Sequence, residues 1–129
     1  MLENLCGIYA PSGNEERVTA VIEKMLPEGI KYEYMRNGNL IVFKEGKNKW
    51  NKKLMLFAHT DEVGFIVTEI TGEGYLKFDC VGGIDKRILL SKRVFVGDKD
   101  IPGIMGIRAV HLTSGEERKK SVPIDEMYI

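Results

Sequence analysis

The chain has 129 residues, of which 43% are hydrophobic and 29% are charged. This is the size of one ordinary domain and enough apolar sequence for a core, so the composition excludes a disordered chain. Lysine plus arginine and aspartate plus glutamate are equal at 19 each, which gives no electrostatic basis for binding nucleic acid or an anionic membrane.

The N-terminal sequence predicts no leader segment. Met1 is followed by a short polar and acidic stretch without a basic region or a long apolar run, so neither a signal peptide nor a membrane span is expected. Cys6 and Cys80 are far apart and form no CxxC pair, which favours reduced thiols over a disulfide framework. These features predict a soluble, cytoplasmic protein.

A helix is predicted after Pro11. Ser12 and Glu15 have the Ser-x-x-Glu spacing of a capping box. The apolar residues that follow recur at helical spacing and form one face, made of Val18, Val21, Ile22, Met25 and Leu26. Pro27 and Gly29 are expected to end the helix.

From residue 30 onward the apolar pattern becomes that of strands. Asn37-Gly38 is a hairpin turn signal between strands predicted at 30–35 and 40–43. The apolar run 54–58 predicts a strand that is buried on both faces. Further short strands, separated by glycine-containing turns as in a small barrel or sandwich, are predicted at 64–70, 75–80, 93–96 and 101–107.

The most informative motif is His59-x-Asp61, directly after the run 54–58. Open α/β sheets place ligands and catalytic groups at the carboxyl ends of their strands. Histidine binds metals through one neutral ring nitrogen, and a nearby carboxylate can hold the N–H of the other. His59 as a metal ligand oriented by Asp61 fits this pattern, and Glu62 is a further candidate for the orienting acid. The alternative is a histidine that only caps a strand end beside a solvated acidic turn.

Several separated motifs, in the same order along the chain, carry a family resemblance. They are Ala-Pro-Ser-Gly-Asn-Glu-Glu at 10–16, Asn-Gly-Asn-Leu at 37–40, the strand and His-x-Asp motif at 54–67, Val-Gly-Gly-Ile-Asp-Lys-Arg at 81–87, and Gly-Ile-Met-Gly at 103–106 with His111-Leu112. The chain resembles the N-terminal portion of the cytosolic dinuclear metallo-aminopeptidases, the family of glutamyl, deblocking, cellulase-M-like and tetrahedral aminopeptidases.

The resemblance implies an α/β fold in two parts, with a boundary near Asp61. Residues 1–62 would be the N-terminal lobe of the metallopeptidase domain, part of a phosphorylase/hydrolase-like peptidase sheet with a flanking helix. Residues 63–129 would be part of an inserted, incomplete β-barrel of the dimerisation type.

The resemblance also implies the chemistry. His59 corresponds to the first metal ligand, and Asp61 to the acidic residue that backs it and counts among the catalytic residues, in a centre of two divalent metal ions, zinc or cobalt. His111 matches a barrel position rather than a ligand. The other ligands and the general base have no counterpart in these 129 residues, so at most weak metal binding and no appreciable activity are expected of the chain alone.

The implied function is hydrolysis of N-terminal residues from peptide substrates by a homo-oligomer that assembles through the barrel, with no nucleic-acid or membrane partner. The alternative from a different class is a non-catalytic, β-rich self-association module in which the His-x-Asp motif is a relic.

Overall fold

A computed structural model of the chain describes residues 2–48, 52–107 and 122–129. The chain forms two compact units, Met1–Glu62 and Val63–Ile129. The helices of the first unit are α1 (Leu2–Cys6) and α2 (Glu16–Met25), and its strands are β1 (Lys31–Tyr34) and β2 (Leu40–Phe43). The strands of the second unit are β3 (Gly64–Ile70), β4 (Leu76–Val81), β5 (Arg93–Val96), β6 (Ile101–Ile104), β7 (Gly106–Ile107) and β8 (Met127–Tyr128).

Helix α2 begins at Glu16, and the capping box predicted for Ser12 and Glu15 is wrong. Gly13 has a φ of +91°, a left-handed conformation that takes the chain off the helical path directly after Ser12. The Glu15 carboxylate accepts a hydrogen bond from the Gly13 N–H at 2.8 Å instead. Ser12 is therefore free to donate its hydroxyl to a residue far away in the sequence. The predicted apolar face is present in part: Val18 is 5% exposed, whereas Met25 is 42% exposed and Leu26 is the C-cap.

The predicted hairpin is confirmed. Strands β1 and β2 pair antiparallel, with Tyr32 opposite Val42, and Gly38 occupies the turn with a φ of +84°. The hydroxyls of Tyr32 and Tyr34 both donate to the carboxylate of Glu23, at 2.5 and 2.8 Å. These two bonds tie β1 to α2 and raise the pKa of both tyrosines.

The strand predicted at 54–58 is wrong for this structure. The segment forms no strand, and its side chains are almost fully exposed, with Leu54 at 80%, Met55 at 78%, Leu56 at 85% and Phe57 at 89%. A strand needs a hydrogen-bonded neighbour, and among the described residues of the first unit the only sheet is the β1–β2 hairpin. An apolar run predicts that a segment is buried, but it does not identify the neighbouring strand with which the segment would pair.

The second unit consists of short antiparallel pairs: β3 with β4, β5 with β6, and β7 with β8. Its buried cluster combines Phe78, Leu89, Met105 and Met127, and the Phe65 ring packs edge-on against Phe78 at 5.2 Å. The mixed α/β class is confirmed, with small two-stranded sheets and few helices. The barrel and the peptidase sheet stay predictions. No helix within the described ranges is both long enough and apolar enough to span a membrane.

Candidate functional site

His59 and Asp61 lie close together in the segment directly before Glu62. The Nδ1 atom of His59 is 3.1 Å from Oδ1 of Asp61 and 3.0 Å from the Asp61 backbone carbonyl oxygen. The His59 side chain is 86% exposed and that of Asp61 is 38% exposed. The structure thus brings together the two residues that the sequence singled out.

This geometry favours one tautomer of the neutral His59 imidazole. Both groups next to Nδ1 of His59 are hydrogen-bond acceptors, so the proton of the neutral ring is placed on Nδ1, which donates to Asp61. The lone pair of the neutral ring is then on Nε2. An exposed imidazole with a free Nε2 and an Nδ1–H held by a carboxylate is the arrangement that metal-ligating histidines adopt.

The Asp61 carboxylate has a second partner, Ser12, 49 positions away in the sequence. The Ser12 hydroxyl donates to Oδ2 of Asp61 at 2.5 Å. This hydrogen bond, followed by a backbone hydrogen bond of Asp61 itself and by the neighbouring His59 ring, holds the pKa of the Asp61 carboxyl below its usual value. Asp61 is therefore an anion at neutral pH, with Oδ1 directed to His59 and Oδ2 to Ser12.

Glu62, the other candidate for the acid that orients His59, binds the backbone of Ala10 instead. Its backbone N–H donates to the carbonyl of Ala10 at 2.9 Å, and its Oε1 accepts from the Ala10 N–H at 3.0 Å. A parallel bridge between Pro11 and Glu62 continues the contact. The carboxylate of Glu62 thus fastens the segment that carries Ser12, and Asp61 remains as the acid beside His59.

The donor set fits one side of a metal centre. Within residues 2–48, 52–107 and 122–129, no group of three or more histidine, cysteine, aspartate or glutamate side chains is placed to hold a metal ion. Zinc takes three or four protein ligands, whereas this site offers one imidazole and one carboxylate whose oxygens are both engaged. Asp61 therefore fits an orienting group better than a ligand. His111 lies outside the described residues.

Ser12 is the residue that sequence reasoning misplaced. Its spacing from Glu15 matched a local helix signal, and local spacing gives no information about a contact 49 positions away. The only signal available was that Gly13 follows Ser12 directly, since glycine inside a capping box permits a left-handed turn.

Comparison with known proteins gives a consistent result. A model of the M42 glutamyl aminopeptidase family matches residues 38–129. The crystal structure of a TET aminopeptidase from a marine sediment Thaumarchaeota archaeon matches with a TM-score of 0.88 and 34% identity, over 98% of this chain and 36% of that one. A TET peptidase of Pyrococcus horikoshii, which can assemble into a tetrahedron or a large octahedral shell, matches with a TM-score of 0.82 and 35% identity, over 98% of this chain and 38% of that one.

Curated relatives agree with the structural matches. The lysyl aminopeptidase of Pyrococcus furiosus is 30% identical over 81% of this chain and 29% of its own length. The chain spans a little over a third of the first two curated relatives it matches, 37% and 36% of their lengths.

Proposed function

Because this chain belongs to the M42 glutamyl aminopeptidase family, we propose that it supplies one side of the metal centre of an enzyme that removes N-terminal residues from peptides. The resemblance seen in the sequence is thereby confirmed. The aminopeptidase names of its relatives support peptide hydrolysis and do not favour the alternative of a non-catalytic association module.

The role proposed for His59 is that of a metal ligand. The observation that carries it is the pairing of Nδ1 with Asp61 on a side chain that is 86% exposed, which leaves the lone pair of the neutral ring on Nε2. Nδ1 also contacts the Asp61 backbone carbonyl at 3.0 Å, a contact that a capping histidine would make as well. The pairing of the same nitrogen with the carboxylate is the feature that supports a metal ligand over a cap.

Asp61 acts through His59. As an anion it accepts the Nδ1–H bond, fixes the tautomer and makes Nε2 a stronger donor. The metals proposed are two divalent ions, zinc or cobalt, which when bound supply an activated water and polarise the peptide carbonyl. The remaining ligands and the general base are proposed to come from sequence outside these 129 residues. The isolated chain would then bind metal weakly and show no appreciable activity.

The assignment of the two units follows the same proposal. Residues 1–62 are the N-terminal lobe of the metallopeptidase domain, and residues 63–129 are part of the inserted β-barrel. The assembly of the Pyrococcus horikoshii TET peptidase into a tetrahedron or a large octahedral shell supports homo-oligomerisation. That the second part mediates it belongs to the proposal. A cytoplasmic location is part of the same proposal.

The test is kinetic and uses the whole protein that contains this chain. His59→Ala is expected to lose nearly all release of the N-terminal residue from a chromogenic peptide. Asp61→Asn keeps the volume without the charge and is expected to lose about 10–100-fold. Glu73→Ala, at an exposed turn far along the chain, serves as the control and is expected to retain full activity. Undiminished kcat/KM in His59→Ala would refute the proposed function.

A further inference from the structure

We propose that Ser12 is a positioning residue for the metal-ligating imidazole: its hydroxyl fixes the carboxylate of Asp61, which in turn fixes the ring of His59. This inference rests on the proposed function, because it assigns Ser12 a role toward a metal that His59 would bind.

The two carboxylate oxygens of Asp61 have different partners. Oδ2 accepts from the Ser12 hydroxyl at 2.5 Å, and Oδ1 is 3.1 Å from Nδ1 of His59. The terminal torsion of an aspartate side chain is broad, so its own rotamer preference does not fix the plane of the carboxylate. A donor on Oδ2 fixes that plane and thereby the direction in which Oδ1 meets the imidazole.

Hydrogen bonds on both sides of Ser12 hold its backbone in place. The two hydrogen bonds between Ala10 and Glu62 join the chain on one side of Ser12 to the residue after Asp61. On the other side, the Asn14 N–H donates to the Pro11 carbonyl at 2.9 Å and closes a turn around Ser12. The backbone of Ser12 is thus held by the turn, and its hydroxyl by the hydrogen bond to Asp61.

In the hydrogen bond between Ser12 and Asp61, the hydroxyl is the donor and the carboxylate is the acceptor. The Ser12 hydroxyl donates to an oxygen that is already anionic, so the bond stabilises the charge of Asp61 rather than neutralising it. A charged Asp61 is the better acceptor for Nδ1–H and the better support for a histidine ligand. A hydroxyl can supply this donor, whereas a methyl group at the same place cannot.

A purely structural role for Ser12 makes a different prediction. If the hydroxyl only tethers the segment around residue 12, its removal lowers stability and leaves the ring of His59 unchanged. If it positions the imidazole, its removal changes the population of the Nδ1–H tautomer even where stability is unaffected. The two roles are therefore separated by a spectroscopic signature in the metal-free chain.

The first measurement is nitrogen-15 NMR of the histidine rings in the 129-residue chain without metal, at a pH where the rings are neutral. A His111→Gln variant assigns the two histidine signals. The wild type is expected to show His59 mainly as the Nδ1–H tautomer, and Ser12→Ala is expected to shift it toward the Nε2–H form. Ser12→Thr retains the hydroxyl at an exposed position and is expected to restore the wild-type spectrum.

The second measurement is metal affinity in the whole protein, by competition with a chelator. Ser12→Ala is expected to weaken binding by up to about tenfold, the lower end of the range for loss of a partner behind a ligand, and Ser12→Thr to stay within about twofold of wild type. Thr68→Ala removes another exposed hydroxyl, in β3, and controls for general effects. Ser12→Cys replaces the Ala variant if the latter does not fold.

The outcomes are distinguishable from those of the proposed function. Wild-type tautomer and wild-type metal affinity in Ser12→Ala would overturn the positioning role, whatever happens to stability. Full metal content in His59→Ala would overturn the proposed function and this inference with it. Loss of metal in His59→Ala combined with an unchanged Ser12→Ala would overturn this inference alone.

Discussion

Ala10 and Glu62 hold each other through two hydrogen bonds, one from the Glu62 N–H to the Ala10 carbonyl at 2.9 Å and one from the Ala10 N–H to Oε1 of Glu62 at 3.0 Å. Ala10 is 1% exposed, so its N–H has little access to water if the carboxylate is removed. Glu62→Ala is expected to lower the free energy of unfolding by about 1–3 kcal/mol, the cost of leaving a buried donor unpaired.

The matched control for this prediction is Glu62→Gln, which keeps an acceptor oxygen at the same place. Denaturant unfolding of the 129-residue chain should show Glu62→Gln much closer to wild type than Glu62→Ala. Equal stability of all three proteins would show that the Ala10 N–H finds another partner.

Two adjacent glycines are expected to differ in their response to substitution. Gly82 has a φ of +88°, and a Cβ built on it would lie 3.0 Å from Cγ1 of Val63. At Gly83 an added Cβ meets nothing within 4 Å, and the backbone is not left-handed. Gly82→Ala is expected to destabilise by about 1–2 kcal/mol, and Gly83→Ala to be neutral or slightly stabilising. Thermal unfolding of the two variants measures the difference, and similar shifts would contradict it.

The ion pair between Asp85 and Arg87 predicts a pH dependence at the acidic end. The Arg87 guanidinium donates to both carboxylate oxygens and, with its backbone N–H, lowers the pKa of Asp85 to about 2. Because the folded-state pKa lies below the unfolded value near 3.8, the contribution is fully present above about pH 5 and is lost as the pH falls toward 2.

The comparison that tests this pH dependence is wild type against Asp85→Asn, which cannot ionise. The difference between their unfolding temperatures should be constant above about pH 5 and shrink steadily toward pH 2. A difference that stays constant over the whole range would mean that the carboxylate charge contributes nothing.

The exposed run Leu54–Phe57 predicts self-association of the isolated chain. Four consecutive large apolar side chains that are 78–89% exposed form a patch of the kind that mediates association. Leu56→Lys is expected to reduce the sedimentation-average mass at high protein concentration without lowering the unfolding temperature. Leu2→Lys, at a residue that is 72% exposed in α1, is the control and should have little effect. A wild-type chain that remains monomeric across a broad concentration range would refute the prediction.

The accuracy of the sequence predictions differed between local and distant features. The bounds of β2, β3 and β5 follow from alternation and turn residues, because these signals act within a few positions. The run 54–58 failed because a strand is defined by a neighbour that composition does not identify. β8 was missed because two residues at the end of the chain carry no period, and their pairing with β7 depends on a contact across some twenty positions.

In the candidate site, too, local contacts were predicted from the sequence and distant contacts were not. His59 and Asp61 were found together because they are two residues apart in the sequence, a spacing that a local motif can show directly. The sequence did not predict the contact of Ser12 with Asp61 or the hydrogen bonds between Ala10 and Glu62, because these contacts join segments about 50 positions apart. Such contacts are set by how the unit folds, which a local pattern does not encode.

The most direct test of the proposed metal site is the metal content of the whole protein, measured by elemental mass spectrometry on wild type and His59→Ala. The account predicts that wild type retains two divalent ions per chain, that His59→Ala loses at least one of them with its fold intact, and that His111→Ala keeps the wild-type content. Full metal content in His59→Ala would contradict the assignment of His59 as a ligand.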